Sequence, residues 1–244
     1  MKKLNSYKYF IKENQEQVLQ LSKFANMIDF YYTRTDATKE GINEIIDLTK
    51  LNNFYGIVVN PNLTDYLSYE LDESDVTIKC ITTIDFPDGD ASDVDRLSMV
   101  IEAISDGSDE IVTVLNYKWV KDAYIEQDQE TKDGLIKSLE DGIRLIADEC
   151  HKNAIILKVV VESGLLTLEE LTLSCQISSN AGADYIQTST GTKSIGSELS
   201  KVKEMRRVLD DHVKICVAGG IRTLEQMQEY YPYCDRFGVS VIPK

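Results

Sequence analysis

Histidine is scarce: the 244-residue chain has two, His151 and His212. Each follows a helical stretch and precedes a candidate strand. In an alternating α/β barrel that is the face away from the active site. A histidine-based catalytic centre and a three-histidine metal site are therefore disfavoured, and neither a metal nor another cofactor is expected. The five cysteines, Cys80, Cys150, Cys175, Cys216 and Cys234, are odd in number, widely spaced and form no CxxC. That spacing argues against a disulfide framework or a zinc site and fits reduced thiols. Positive charge is in deficit, with 26 bases against 41 acids and a net charge of −15. Nucleic-acid binding, which needs a positive field, is not expected. An anionic small ligand remains compatible, because backbone N–H groups hold phosphate inside acidic proteins. No apolar run approaches a membrane span. The opening MKKLNSYKYFIKENQEQ has lysines but no apolar core behind them, so it does not read as a secretory signal. The expectation is a cytoplasmic protein with no membrane partner.

What is present is an alternation. There is no sequence repeat, but a short β-branched run, a turn and an amphipathic helix recur. Candidate strands cover 27–30, 56–60, 77–84, 110–116, 155–161, 184–188, 213–217 and 236–238. Several are apolar almost throughout, as expected for parallel strands covered on both faces. Helical spacing separates most of them. Val94, Leu97, Val100, Ile101 and Ile104 recur within 91–105, and Leu135, Leu139, Ile143 and Ile146 within 132–150. TLEE at 167–170 predicts a capping box with Thr167 as N-cap. Further helices are expected at 197–209 and 224–230. A first helix, roughly 14–24, is expected to close the barrel bottom. Eight units in one chain of this length predict a single-domain (β/α)8 TIM barrel over residues 1–244, with 1–26 as an N-terminal helical cap. An open doubly wound sheet is disfavoured, because no GxGxxG follows the first strand.

Three loops at the ends of the last strands suggest phosphate. CVAGGIRT (216–223) is a strand, a glycine pair and a helix start, so backbone can approach an anion beside a helix N-terminus. RFGVS (236–240) repeats the device, and TSTG (188–191) adds hydroxyl and amide donors. Phosphate sites in such barrels often follow strands seven and eight. The candidate phosphate residues are Thr190, Gly191, Gly219, Gly220, Arg222, Gly238 and Ser240. Asp29, ending the first strand, either binds a substrate hydroxyl or caps a loop. Lys158 and Glu162 are four apart on the fifth strand and share a face. If that face is inward they are expected to pair, either as structure or as a lysine of perturbed pKa. Cys216 reads first as a small buried residue.

These blocks resemble the deoxyribose-phosphate aldolase family. IDFYYTRTDAT (28–38) is similar to that family's IDHTLLKPDAT. VVNP (58–61), TTIDFPDG (82–89), SDEIVTVLN (108–116), LKVVVESGLLT (157–167), AGADYIQTSTGT (181–192), VAGGIRT (217–223) and RFGVS follow in family order. The resemblance implies a (β/α)8 barrel. It also implies a class I aldolase that cleaves 2-deoxyribose 5-phosphate to acetaldehyde and glyceraldehyde 3-phosphate through a lysine Schiff base, without metal. It implies a ligand cradle that includes Asp29, Lys158, Thr188 and Ser189, with Asp29 and Thr188 toward the substrate hydroxyls.

Three positions depart from the family. Its imine lysine, in KTSTG, is Gln187 here, and an amide nitrogen is not nucleophilic. Its second lysine, before the glycine pair, is Cys216, and its proton-shuttling aspartate is Val112. Smaller departures put Tyr31 at a threonine position, Thr192 at a basic position and Val58 at a cysteine position. The resulting expectation is a family barrel that binds a phosphorylated sugar or similar ester with the imine chemistry lost. The alternatives are an active aldolase using a displaced lysine such as Lys158, or another acid–base reaction using Asp29, Glu162 or Cys216. A homodimer is the expected assembly.

Overall fold

In the computed structural model, residues 15–74, 76–193 and 196–244 are described. Eight parallel strands close into one barrel in sequence order: β1 (Ile28–Tyr32), β2 (Gly56–Val59), β3 (Lys79–Thr83), β4 (Glu110–Val114), β5 (Ile156–Val160), β6 (Tyr185–Gln187), β7 (Lys214–Ala218) and β8 (Arg236–Val239). β1 pairs with β8 as well as β2, which leaves no sheet edge. β2 to β6 are shorter than the expected runs, β1 and β8 run further toward the mouth, and β7 is shifted by one residue.

The described helices are α1 (Gln15–Ser22), α2 (Lys39–Asn52), α3 (Thr64–Glu73), α4 (Asp93–Ser105), α5 (Tyr117–Ile125), α6 (Gln129–Lys152), α7 (Leu168–Asn180), α8 (Leu199–Val208) and α9 (Leu224–Tyr230). Sequence reading did not identify α2, α3 and α5. Each has a local signal: Thr38 caps α2 by accepting from the Gly41 amide, Pro61 opens the turn before α3, and Asn116 accepts from the Lys118 amide at the start of α5. In α4 the expected apolar stripe is displaced. Val94 is exposed while Arg96 is buried, because Asp85 at the end of β3 draws the guanidinium inward at 2.7 Å.

The first fourteen residues of the expected cap lie outside the described residues. In the described part, Phe24 packs edge-on against Tyr231 and Phe237 at ring-centroid distances of 5.5 and 5.9 Å. Phe237 faces outward, because its neighbour Arg236 faces the interior ion pairs. Residues 240–244, which follow β8, form no helix, and the Leu21–Phe24 segment covers the apolar outer wall there.

The capping box at α7 forms as read. The Thr167 hydroxyl accepts from the Glu170 amide at 3.2 Å, and the Glu170 carboxylate accepts from the Thr167 amide at 2.8 Å. Thr167→Ala removes one of these bonds and is expected to cost about 1 kcal/mol. Urea unfolding measures this, with Thr167→Ser expected to restore most of the loss.

Candidate functional site

The barrel interior is layered. Asp29, Glu110, Lys158 and Arg236 form a buried quartet in the lower layer. The Lys158 ammonium lies 2.5 Å from Asp29 Oδ2 and 2.9 Å from Glu110 Oε2. Arg236 Nη1 lies 2.9 Å from Glu110 and 3.3 Å from Asp29. Tyr55 donates to Glu110 at 2.7 Å, and its ring lies 3.5 Å from the Arg236 guanidinium carbon. Two cations and two anions thus cancel where an unpaired charge would be costly. Burial opposes ionisation of Lys158, but the Asp29 and Glu110 carboxylates outweigh it and hold the amine above its ordinary value. Burial likewise opposes ionisation of Glu110, but Lys158 and Arg236 pull it down to about 2. Lys158 is therefore a bound ammonium ion and not a free nucleophile.

The expected Lys158–Glu162 pair does not form. β5 ends at Val160, so strand alternation no longer holds at Glu162, which adopts φ 50°. Its carboxylate accepts from the amide of Thr190 at 2.9 Å and from the Thr190 hydroxyl, while Oε2 is buried without a partner.

Two residues nearer the mouth the interior is solid. Tyr31 donates to Gln187 Oε1 at 2.7 Å, and Gln187 Nε2 donates to the Ser189 carbonyl at 3.0 Å. Both ends of the amide are thus engaged, and Gln187 is fully buried. Tyr31 packs with Val58, Ile81, Val112, Val114 and Val160 in one apolar cluster. Its ring needs Gly238: a Cβ there would lie 2.8 Å from Tyr31 Cε2 and 2.7 Å from Ala218 Cβ. Burial foremost, then Asp29, pushes the Cys216 thiol up to about 12, so it is no nucleophile at neutral pH. Asp29 lies beneath this layer in the ion-pair quartet. It does not reach the mouth, as a substrate-hydroxyl role would require.

Above the plug, a cavity of about 290 Å³ opens at the C-terminal ends of the strands. It brings together all seven expected phosphate residues: Thr190, Gly191, Gly219, Gly220, Arg222, Gly238 and Ser240. Gly191, Gly219 and Gly220 have φ of 79°, 94° and 84°, the left-handed region that glycine adopts freely. Two expectations are corrected. The amide and hydroxyl of Thr190 are committed to Glu162, so it shapes the wall more than it offers donors. The Thr188 hydroxyl bonds the Ala218 carbonyl at 2.8 Å and Ser197 Oγ at 2.7 Å, tying the β6 and β7 loops together instead of facing a ligand. Ser189 Oγ, beside Gly219, is buried without a partner. Arg34 was missed. It follows β1 and lines the same cavity, with its guanidinium on Asp36 at 2.5 Å. Its only sequence signal is its place within IDFYYTRTDAT. Lys193 does not join the cradle, since it reaches Asp88 in the β3 loop at 2.8 Å. His151 sits at the opposite face, bonded to Asp184 just before β6 at 3.0 Å.

A closed (β/α)8 barrel with its pocket over the last strand ends is an enzyme architecture that hosts many chemistries. No protein-family model matches the chain. The deoxyribose-phosphate aldolase of Lactococcus lactis subsp. cremoris is 33% identical over 227 residues, covering 91% of this chain and 93% of that one. Deoxyribose-phosphate aldolase 1 of Oceanobacillus iheyensis is 32% identical over 207 residues, covering 84% and 86%. The solved tetrameric deoxyribose phosphate aldolase of Aeropyrum pernix gives a TM-score of 0.78 at 20% identity over 93% of each chain, a likeness of fold. The chain belongs to the deoxyribose-phosphate aldolase family.

Two outcomes follow from this geometry. Lys158→Met leaves two buried carboxylates facing one guanidinium and is expected to cost ~3–5 kcal/mol, read as a large fall in melting temperature. The depressed Glu110 stabilises the fold above its ordinary value of 4.5, and that stability is lost as pH falls toward about 2. Urea unfolding from about pH 6 down to about pH 3, which crosses the upper part of this window, checks the sign, and Glu110→Gln is expected to flatten the dependence.

Proposed function

We propose that the chain binds a phosphate ester at the barrel mouth and does not carry out the family's imine chemistry. One observation carries this reading: the Tyr31–Gln187 hydrogen bond fills the place of the imine lysine while the glycine-lined cavity beside it stays open. Glycine backbone and the Arg34 and Arg222 side chains suit a phosphate. The names of the relatives, which refer to a sugar phosphate, point to the same class of ligand. A displaced-lysine mechanism finds no support in Lys158, which is enclosed by two carboxylates below the plug. Asp29, Glu162 and Cys216 are buried as well, which argues against another acid–base reaction through them.

No described helix is long and apolar enough to cross a membrane, and all five cysteines are free. A cytoplasmic location fits those thiols. For the assembly we favour a homodimer, with light scattering as its measure.

The test has two parts. Acetaldehyde release from 2-deoxyribose 5-phosphate, followed by a coupled assay at high protein concentration, is expected to be absent. Release by the parent chain would overturn the reading, and release that survives Lys158→Ala would assign it to a route without that amine. Gln187→Lys alone is expected to give no borohydride-trapped adduct with this substrate, because Tyr31 still fills the chamber. Gln187→Lys with Tyr31→Thr is expected to give one, located by peptide mass mapping.

A further inference from the structure

The plug limits what a ligand's other end can do. A phosphate ester seated over Gly219 and Gly220 cannot send its body down the axis, because Tyr31 and the valine cluster occupy it. The open direction is sideways. A second cavity, of about 490 Å³, lies over the ends of β1, β2 and β3. Thr33 and Thr192 line both cavities, so the two adjoin at the mouth. β3 and β6 are not neighbours, so the Lys193–Asp88 ion pair that joins their loops spans the mouth and bounds this cleft.

The two ends differ in chemistry. The first has Arg34, Arg222 and glycine backbone. The second has Pro61, Phe86, Pro87 and Met99, with Asp88 and Asp90 exposed at its rim and the Asp85 side chain buried beneath. Two of these carboxylates are paired, Asp85 with Arg96 at 2.7 Å and Asp88 with Lys193 at 2.8 Å. The rim is thus mildly acidic. A second phosphate would be repelled there, whereas a neutral or cationic group would not. Apolar and aromatic walls favour a flat ring over a hydrated polyol.

We propose that the site takes a phosphomonoester longer than a pentose phosphate, with a neutral or cationic ring lying across the mouth against Phe86 and Met99. This rests on the reading of the glycine-lined end as a phosphate site. It makes the β1–β3 cleft a specificity subsite, and it makes the chain a receptor for ring-bearing monophosphates of the nucleoside monophosphate class.

Calorimetric titration of the full chain with four probes tests it: inorganic phosphate, 2-deoxyribose 5-phosphate, adenosine 5′-monophosphate and fructose 1,6-bisphosphate. Adenosine 5′-monophosphate is expected to bind about tenfold or more tighter than 2-deoxyribose 5-phosphate, and the bisphosphate no tighter than inorganic phosphate. Met99→Glu is expected to remove the nucleotide's advantage while leaving inorganic phosphate unchanged, with Phe86→Ala as a second, milder variant. Equal affinity for the nucleotide and the pentose phosphate overturns the proposal and leaves the phosphate reading standing. So does a loss in Met99→Glu and Phe86→Ala shared by all probes. Failure of every probe to bind, with Arg222→Glu no different from the parent chain, overturns the phosphate reading and this proposal with it.

Discussion

The structure hangs on charge neutrality inside the barrel. Lys158, Asp29, Glu110 and Arg236 come from strands β5, β1, β4 and β8, and each is held by partners on other strands. An unpaired charge at that depth would be too costly to keep. The four therefore set the register and orientation of half the barrel's strands at once. Tyr55 and Tyr185 place aromatic faces against Arg236, so the cluster is enclosed by rings as well as by strands.

That arrangement fixes what the layer above it can be. With Lys158 enclosed, the next residues toward the mouth have no free amine below them to work with. Tyr31, Val112 and Gln187 instead complete a packed layer whose single polar link is satisfied at both ends. Gly238 belongs to this layer as much as to the pocket, since any side chain there would displace the Tyr31 ring. The barrel thus has a shaped mouth over a packed interior.

Much of this was legible in local sequence. The Thr167 capping box depends on residues three apart, and it forms as read. The glycine pair and its neighbours gather because each follows its own strand, and a closed barrel brings consecutive strand ends side by side. Other features were beyond local reading. Strand alternation placed Glu162 beside Lys158, but the strand ends first and Glu162 turns to Thr190. Phe24, just after the first helix, packs on Phe237 of β8, a contact set by what the chain leaves uncovered two hundred residues later. Arg34 lies in a loop with no periodic pattern, so only the folded mouth reveals its neighbours.

By itself, the sequence determined the barrel, the family and the presence of a glutamine at position 187, because apolar periodicity, turn chemistry and side-chain type are written residue by residue. Only the tertiary structure decided what that glutamine does. Its partner Tyr31 is 156 positions away, and the bond between them exists because β1 and β6 face each other across the barrel. The same long-range closure brought Lys158 between Asp29 and Glu110.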